Sequence, residues 1–228
     1  MQHSVPFHQH LNDYASAVDI VPQPVGIYHA FGKRAFDLVL AFILLPVLTP
    51  IILGLWLYSR RDGAPGLFGH ARIGQNGEVF KCWKVRSMVA DAESRLEAYL
   101  KANPEAAAEW ARDHKLTNDP RITRFGQFIR KTSLDELPQI WNVLKGEMSF
   151  VGPRPVVTKE LEKYGQDLPS YLAQKPGITG LWQVSGRNDV SYSERVQMDV
   201  DYLEKRSFLM DLKIIGKTAF SVLGRTGR

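Results

Sequence analysis

The sequence has a single cysteine, Cys82, among its 228 residues. One cysteine cannot form a disulfide within the chain, and nothing in the composition indicates an oxidising compartment, so a reduced cytosolic environment fits. The sequence also lacks internal repeats and low-complexity segments, and therefore no repeat architecture is expected. The length is sufficient for one domain of ordinary size plus appendages.

Metal-ligand spacing is also absent among the six histidines. Three of them, His3, His8 and His10, fall in an N-terminal stretch that is polar and has no apolar periodicity. A segment of this kind cannot bury enough apolar surface to fold. We predict a loose tail over residues 1–32 and no histidine metal site.

The charge of the chain does not by itself identify a partner. The net charge is +5 and the isoelectric point is near 9.3. Nucleic acid, anionic lipid and phosphorylated substrates all attract a basic protein. An apolar run decides between them, and we expect membrane lipids and no nucleic acid as partners.

The apolar run covers residues 38–58 and contains no charged side chain. Its length is that of a membrane-spanning helix, so we predict that it is embedded in a membrane. A secretory signal peptide would start nearer the N-terminus, have a shorter apolar core and end in a small-residue cleavage site. None of these three features is present.

Two prolines, Pro46 and Pro50, interrupt the run near its centre. Each removes a helical N–H and clashes with the preceding turn, so a kink is expected. Both flanks are basic, which gives a spanning helix no preferred orientation; the residues are Lys33, Arg34, Arg60 and Arg61. We predict a re-entrant helix–break–helix over residues 33–60, whose arms of about nine residues reach about 13 Å into a core of about 30 Å. A proline-kinked spanning helix is the alternative.

Two adjacent acids, Asp135 and Glu136, stand among basic residues of the sequence. These basic residues are Arg130, Lys131, Lys145 and Arg154. A carboxylate can attack phosphorus or hold a divalent cation, while guanidinium and ammonium groups neutralise phosphoryl oxygens. Arg130 can match two phosphate oxygens with its planar fork, and Arg154 is fixed between two prolines. The pattern predicts phosphoryl transfer at a membrane surface.

A purely structural interpretation of the acids remains open. Ser133 and Glu136 have the spacing of a helix capping box. Pro138 would then fall at the fifth helical position, where its ring meets the carbonyl of Leu134 and distorts the cap. An acid in the first helical turn gains from the helix dipole, which also keeps Asp135 ionised and nucleophilic.

A second acidic pattern, Asp199-Val200-Asp201, is similar to the Asp-x-Asp of metal-dependent glycosyltransferases. It follows Glu194-Arg195-Val196-Gln197-Met198 and not an apolar strand, so we expect it to be helical. A glycosyltransferase using Asp199 and Asp201 is nevertheless an alternative function.

The remaining pattern predicts a small α/β domain over residues 61–228. Alternation over residues 79–85, after the turn Gln75-Asn76-Gly77, indicates a β-hairpin. Residues 91–100 and 105–115 are typical of polar helices, the second with Asn103 as N-cap. Apolar residues at helical spacing, Leu134, Leu137, Ile140, Trp141 and Leu144, place the acid pair at the entrance of a core-packed helix. Residues 208–223 are typical either of an interfacial helix or of a core helix.

Over residues 33–228 the sequence resembles the bacterial sugar transferase family, the small monotopic phosphoglycosyl transferases. Six blocks carry the resemblance: Lys33-Arg34-Ala35-Phe36-Asp37, Phe80-Lys81-Cys82-Trp83-Lys84-Val85-Arg86-Ser87-Met88, Ser133-Leu134-Asp135-Glu136-Leu137-Pro138, Gly152-Pro153-Arg154-Pro155, Lys175-Pro176-Gly177-Ile178-Thr179-Gly180 and Ser185-Gly186-Arg187-Asn188. The family has a re-entrant membrane helix broken at a Ser-Pro pair, for which this chain has Thr49-Pro50. The threonine can make the same bond to a backbone carbonyl.

The resemblance also implies roles for individual residues. Asp135 would be the nucleophile that takes the sugar phosphate as an acyl phosphate, Glu136 would help to hold Mg²⁺, and Asp199 would be a further metal or site residue. Five cations would contact substrate phosphate or uridine: Arg130, Arg154, Lys84, Arg86 and Arg187.

The function implied is transfer of a hexose 1-phosphate from a UDP-sugar to undecaprenyl phosphate, with release of UMP, as the first step of exopolysaccharide synthesis. Galactose or glucose is the expected sugar. The enzyme would lie in the bacterial inner membrane with its catalytic domain on the cytosolic face, and could form homo-oligomers or contact later polysaccharide-assembly enzymes. A non-catalytic membrane adaptor is a further alternative.

Overall fold

The computed structural model describes residues 26–113, 115–186 and 190–223. The fold is mainly helical with two small sheets. The helices are α1 (Lys33–Ser59), α2 (Ala92–Ala102), α3 (Pro104–Asp113), α4 (Arg124–Lys131), α5 (Gln139–Lys145), α6 (Leu168–Leu172), α7 (Leu181–Ser185), α8 (Tyr192–Lys205) and α9 (Phe208–Leu223). The strands are β1 (Leu67–Ile73), β2 (Val79–Val85), β3 (Ser149–Val151) and β4 (Gly177–Thr179).

Helix α1 is continuous through Pro46 and Pro50. The expected division into two helical arms is therefore absent. Each proline lacks an N–H donor, but the backbone before and after it stays helical. A π-helical turn, Tyr28–Gly32, precedes α1 without a break. The helical segment thus starts before residue 33, inside the stretch predicted as a loose tail; residues 1–25 of that stretch lie outside the described part of the chain. By length and composition α1 is apolar enough to cross a membrane.

Both ends of α1 are bonded to the folded domain. At its first turn Arg34 donates to the carbonyls of Val143 and Leu144, at 2.6 and 2.9 Å. At its last residue the hydroxyl of Ser59 donates to the carbonyl of Arg86 at 2.9 Å. The start and the end of the helix are therefore both bonded to the same folded domain.

One face of α1 packs on the core of the domain and the opposite face is exposed. Ala41 is buried, and the residues that line the packed face recur at three- and four-residue intervals: Leu40, Leu44, Leu45, Leu48 and Ile52. The exposed apolar residues are Val39, Phe42, Ile43, Val47, Ile51, Leu53 and Leu57. An uncovered apolar face of this kind is typical of a contact surface for a partner or for lipid.

A buried carboxylate fixes α9 against the start of α1. Asp211 is fully buried and accepts hydrogen bonds from Lys33 at 2.6 Å and from the hydroxyl of Tyr202 at 2.7 Å. A buried charge needs such partners, because an isolated one would be strongly destabilising. Ile214 is also buried, whereas Leu209 and Phe220 are exposed. Helix α9 therefore has both a core face and an apolar exposed face; contact of the exposed face with a membrane interface stays a prediction.

The predicted hairpin is confirmed, with β1 and β2 antiparallel and His70 opposite Cys82. Asn76 adopts a left-handed conformation at φ 57° in the turn, as an Asn-Gly pair favours. The fully buried Asn142 of α5 holds β2 from the side. Its Oδ1 accepts from the N–H of Trp83 at 3.1 Å and its Nδ2 donates to the carbonyl of Lys81 at 2.7 Å.

The second sheet pairs β3 with β4 in parallel, Ser149 opposite Gly177. A Cβ at Gly177 would lie 2.2 Å from the backbone nitrogen of Gly152, so the two chains approach at a distance that only glycine permits. The sheet therefore joins the Gly-Pro-Arg-Pro block to the Lys-Pro-Gly block.

The two polar helices, α2 and α3, are confirmed. Asn103 does not cap α3 with its side chain as predicted; its Nδ2 donates to the carbonyl of Tyr99 at 2.9 Å and so closes the end of α2. The predicted apolar face of the helix after the acids is confirmed for Ile140, which is buried, but not for Trp141, which is exposed. Helix α5 starts only after Pro138, and Leu134 lies in the turn before it. The helical spacing predicted from Leu134 to Leu144 therefore does not continue through that turn.

Candidate active site

The acidic pair lies on a short 3₁₀ turn, Leu134–Glu136, and not in the first turn of an α-helix. Ser133 has φ 56° and its side chain makes no capping bond, so the capping-box interpretation was wrong. The left-handed residue reverses the chain after α4, and Pro138 then serves as the N-cap position of α5. The acids thus stand in a turn between two helices.

Asp135 is 7% exposed, and burial raises the pKa of its carboxyl group to about 6. The attraction of Lys84 and of Arg130 opposes this shift, while the negative charge of Glu136 adds to it. Desolvation is the largest of these effects. Because Asp135 is not in the first turn of an α-helix, the expectation that a helix dipole keeps it ionised was wrong. At pH 7 most of this carboxyl group is still ionised.

Glu136 forms an ion pair with Lys84, with 2.6 Å between Nζ and Oε1. Lys84 comes from β2, so the hairpin brings a cation to both acids. Because the pair is partly exposed, it contributes little to stability. Its main consequence is to hold one ammonium beside the carboxylates.

Arg130 approaches the same acids from the end of α4. Its Nε donates to the hydroxyl of Ser87 at 2.8 Å, which fixes the guanidinium, and its charge lowers the pKa of Asp135. Two of the predicted substrate-binding cations, Lys84 and Arg130, are therefore brought to Asp135. Their binding of substrate stays a prediction.

Arg154 lies on an exposed turn between Pro153 and Pro155. The guanidinium of Arg72, in β1, donates to the carbonyl of Pro155 at 3.1 Å and fixes this turn. The positive charge of Arg154 favours a lower pKa for the Arg72 guanidinium and for the Cys82 thiol, although burial has the larger effect on both groups. Arg72 was not among the predicted site residues; the signal that could have found it was its position in the strand opposite residues 79–85.

The two other predicted cations are in different situations. Arg86 donates to the carbonyls of Ser59, Pro65 and Met88 and to the carboxylate of Asp62. It therefore clamps the end of α1 to the hairpin, and contact with substrate, which stays a prediction, would require it to exchange some of these bonds. Arg187 lies outside the described residues.

The structure does not bring Asp199 to the acidic turn by any described contact. Asp199 is 3% exposed, its carboxylate accepts from the hydroxyl of Tyr164 at 2.8 Å, and burial raises its pKa to about 7. Asp201 instead pairs with Lys205 at 3.2 Å. The Asp-x-Asp pattern is helical as predicted, and residues two apart on a helix do not face each other.

The donor set of the acidic turn suits Mg²⁺ better than a metal held by protein alone. Within residues 26–113, 115–186 and 190–223, no group of three or more His, Cys, Asp and Glu side chains could hold a metal ion. Mg²⁺ commonly uses one or two carboxylates together with substrate phosphates. Asp135 and Glu136 fit that requirement, whereas the buried, hydrogen-bonded Asp199 does not.

Comparison with known proteins agrees with this geometry. The profile of the bacterial sugar transferase family matches residues 28–225, which include α1, the hairpin, the acidic turn and both small sheets. The chain belongs to the bacterial sugar transferase family.

Similar family members have names that describe either sugar phosphate transfer involving undecaprenyl phosphate or exopolysaccharide production. The undecaprenyl-phosphate galactose phosphotransferase of Salmonella typhimurium is 53% identical over 197 residues, which are 86% of this chain and 41% of that protein. The exopolysaccharide production protein ExoY of Sinorhizobium fredii is 47% identical over 210 residues, 90% of this chain and 92% of the relative. The UDP-glucose:undecaprenyl-phosphate glucose-1-phosphate transferase of Escherichia coli is 35% identical, over 90% of this chain and 44% of that protein. The chain thus spans about two fifths of the Salmonella relative and nearly the whole of the Sinorhizobium relative.

Proposed function

We propose that this sugar transferase moves a hexose 1-phosphate from a UDP-sugar to undecaprenyl phosphate and releases UMP. The observation that carries the proposal is the acidic turn, in which the buried but ionised Asp135 stands beside Lys84 and Arg130. A desolvated carboxylate flanked by cations is suited to attack phosphorus, since the cations attract the phosphate and lower the barrier to charge build-up. The names of the relatives support the substrates.

The proposed reaction proceeds in two displacements at one phosphorus. An oxygen of Asp135 bonds to the phosphorus that carries the sugar, and the bond from that phosphorus to the bridging oxygen breaks, so that its electron pair leaves with UMP. The phosphate oxygen of the lipid then bonds to the same phosphorus and the Asp135 carboxylate departs. No proton transfer to or from Asp135 is required, because the residue is ionised at neutral pH.

Mg²⁺ is the proposed cofactor, with Glu136 and Asp135 as the residues that would hold it together with substrate phosphates. When bound, it would neutralise the charge of the diphosphate. Lys84 keeps the carboxylate of Glu136 oriented through their 2.6 Å ion pair. Arg130, held by Ser87, attracts the phosphate and keeps part of Asp135 in its ionised form.

We further propose that α1 enters the cytosolic leaflet of the inner membrane and that both of its ends stay on the cytosolic face. A helix crossing a hydrocarbon core of about 30 Å would place its ends on opposite sides. Here Arg34 and Ser59, near the two ends, are bonded to the same domain. The exposed apolar faces of α1 and α9 support contact with lipid, and Phe220 alone is 82% exposed.

The proposed sugar is galactose or glucose, in the first step of exopolysaccharide synthesis. Galactose is supported by the Salmonella relative at 53% identity and glucose by the Escherichia relative at 35%. The names of the relatives thus favour galactose as the first donor to test.

The test is to incubate membranes carrying the protein with UDP-galactose or UDP-glucose and undecaprenyl phosphate, and to identify both products. We expect UMP and a lipid diphosphate sugar, with ping-pong kinetics and labelling of Asp135 by sugar-labelled donor before the lipid is added. Release of UDP would instead indicate the glycosyltransferase that uses Asp199 and Asp201. Full function in cells after Asp135→Asn would indicate a membrane adaptor.

A further inference from the structure

One face of the β-hairpin carries polar groups that the acidic turn does not use. Residues alternate across a strand, so Phe68, His70 and Arg72 lie on one side of β1. The register places His70 opposite Cys82 and Arg72 opposite Phe80. His70 is exposed, whereas only 14% of the Arg72 side chain is exposed.

Arg72 and Arg154 form a pair of like charges. Arg154 lowers the pKa of Arg72, after the larger effect of burial, and the bond from Arg72 to the carbonyl of Pro155 keeps the two chains together. Glu160 approaches Arg72 at 3.6 Å and offsets one of the two charges. Within residues 26–113, 115–186 and 190–223, no hydrogen bond or ion pair ties the Arg154 guanidinium to an acid. The pair therefore has an excess of positive charge that an anion can neutralise.

His70 adds a neutral donor to this pair. Its Nδ1 lies 3.1 Å from Nη2 of Arg72, and because a guanidinium only donates, Nδ1 must accept. Burial, followed by the charges of Arg72 and Lys84, lowers the pKa of the imidazole. The neutral ring must then carry its proton on Nε2, on the side away from Arg72.

These groups adjoin the acidic turn without belonging to it. The charges that act on Cys82 include Lys84 and Glu136 as well as Arg72 and Arg154. The main charges that act on Asp135 are Lys84, Glu136 and Arg130, and neither Arg72 nor Arg154 is among them. On the same face of the hairpin Lys84 lies opposite Phe68, in the pair next to His70 and Cys82. The two cationic groups are therefore neighbours at Lys84, as the two phosphates of a diphosphate would require.

We propose that His70, Arg72 and Arg154 form a subsite for the phosphate that leaves with the nucleoside. The inference rests on the proposed function and assigns each phosphate of the donor to a separate group of cations. When the bridging P–O bond breaks, its electron pair stays on the nucleoside phosphate. The two guanidiniums and the Nε2–H of His70 stabilise that charge through hydrogen bonds, and His70 keeps its proton.

The test uses UMP as the probe and separates the two half-reactions. The variants are His70→Leu, which removes the donor, His70→Gln, which can restore an N–H, and Arg72→Lys, which loses the fork that holds both His70 and Pro155. We expect His70→Leu to weaken inhibition by UMP about tenfold and His70→Gln to recover most of it. Arg72→Lys should weaken it further, because Arg154 also loses its support.

The second half-reaction uses the same position, because the lipid phosphate must attack in line, opposite the Asp135 oxygen, where the phosphate of UMP has left. Discharge of the labelled Asp135 adduct should therefore need more undecaprenyl phosphate in all three variants than in the wild type. Regeneration of UDP-sugar from the adduct by added UMP should require correspondingly more UMP. Arg95→Gln removes a charge from the exposed ion pair of Arg95 with Asp91 and should change neither rate.

Two results would overturn the subsite. One is an unchanged affinity for UMP in folded His70→Leu and Arg72→Lys proteins, as judged by thermal unfolding. The other is a loss of UMP affinity in Arg95→Gln as large as that in Arg72→Lys, which would show that the loss does not depend on the subsite. Failure of the proposed function is a distinct result, since the wild-type protein would then release no UMP at all.

Discussion

The ammonium of Lys84 lies 2.6 Å from a carboxylate oxygen of Glu136, and the same ammonium is the strongest attractive charge acting on Asp135. One cation from the hairpin therefore serves two acids from the turn between α4 and α5. Without this cation, the negative charges of the two acids would repel each other more strongly. The ionisation of Asp135 thus depends on how the hairpin is placed, and several predictions can be made from that dependence.

Asp135→Asn should abolish turnover and stabilise the fold. The folded-state pKa is raised from 3.8 to about 6, so the native carboxyl group binds its proton more tightly than the unfolded one. Its contribution to stability is present below pH 4 and is lost as the pH rises through 6, by at most about 3 kcal/mol. Asparagine has no charge to bury, and the melting temperature at pH 7.5 should rise.

The matched control is Asp201→Asn, which removes an exposed acid from α8. It should change neither turnover nor the melting temperature by much. At pH 4.5 the stability advantage of Asp135→Asn should shrink, because the native Asp135 is then largely protonated. An equal melting temperature for wild type and Asp135→Asn at both pH values would show that burial does not govern this carboxyl group.

In the metal-free protein Asp135 becomes protonated as the pH is lowered through about 6. Bound Mg²⁺ favours the carboxylate, so the rate of the first half-reaction should fall at or below that pH. In Lys84→Gln the attraction that favours the carboxylate is lost, so the inflection should move to higher pH. Single-turnover release of UMP between pH 5 and pH 8 measures both curves. Inflections at the same pH in the two proteins would contradict the coupling between Lys84 and Asp135.

Cysteines introduced at Ala30 and Arg61, near the two ends of α1, should both be labelled from the cytosolic side of inside-out vesicles. Native Cys82 should stay unlabelled until the protein is denatured, because it is buried and its pKa is raised to about 11. Labelling of the two positions from opposite sides would contradict the re-entrant proposal.

Replacing Pro46 and Pro50 together by leucine gives a second test of topology. Leucine restores two backbone donors, which should favour a straight helix and move one flank across the membrane. A helix with one end across the membrane could not keep the bonds of both Arg34 and Ser59 to the domain. Activity should therefore fall. Unchanged topology and activity would show that the prolines do not determine how α1 inserts.

Glu136→Gln should weaken turnover and raise the Mg²⁺ concentration needed for half-maximal activity. Asp199→Asn should leave that concentration unchanged, because the asparagine oxygen can still accept from Tyr164 and the site is buried. Titration of activity with Mg²⁺ compares the two proteins. If Asp199→Asn raised the Mg²⁺ concentration needed for half-maximal activity and Glu136→Gln did not, Asp199 and not Glu136 would be the residue that holds the metal.

Local sequence signals predicted the hairpin and the polar helices, because a turn such as Asn76-Gly77 depends on the conformations that its own residues allow. The same reasoning failed for Ser133 and Glu136. A capping box and a 3₁₀ turn share the same spacing, and the left-handed conformation of Ser133 is set by the chain reversal between α4 and α5. Arg72 and His70 gave no signal of their own, since strand cations are usually solvated.

The sequence by itself determined that the chain has a long apolar run with prolines at its centre, and that two adjacent acids occur among cations. These properties depend on residue type and on short spacings, which no fold can alter. The tertiary structure alone decided that both ends of α1 are held by one body, that Asp135 is desolvated enough to raise its pKa, and that Asp199 is enclosed with Tyr164. Those outcomes depend on contacts between residues far apart in the chain, where burial and the placement of each charge are fixed only by folding.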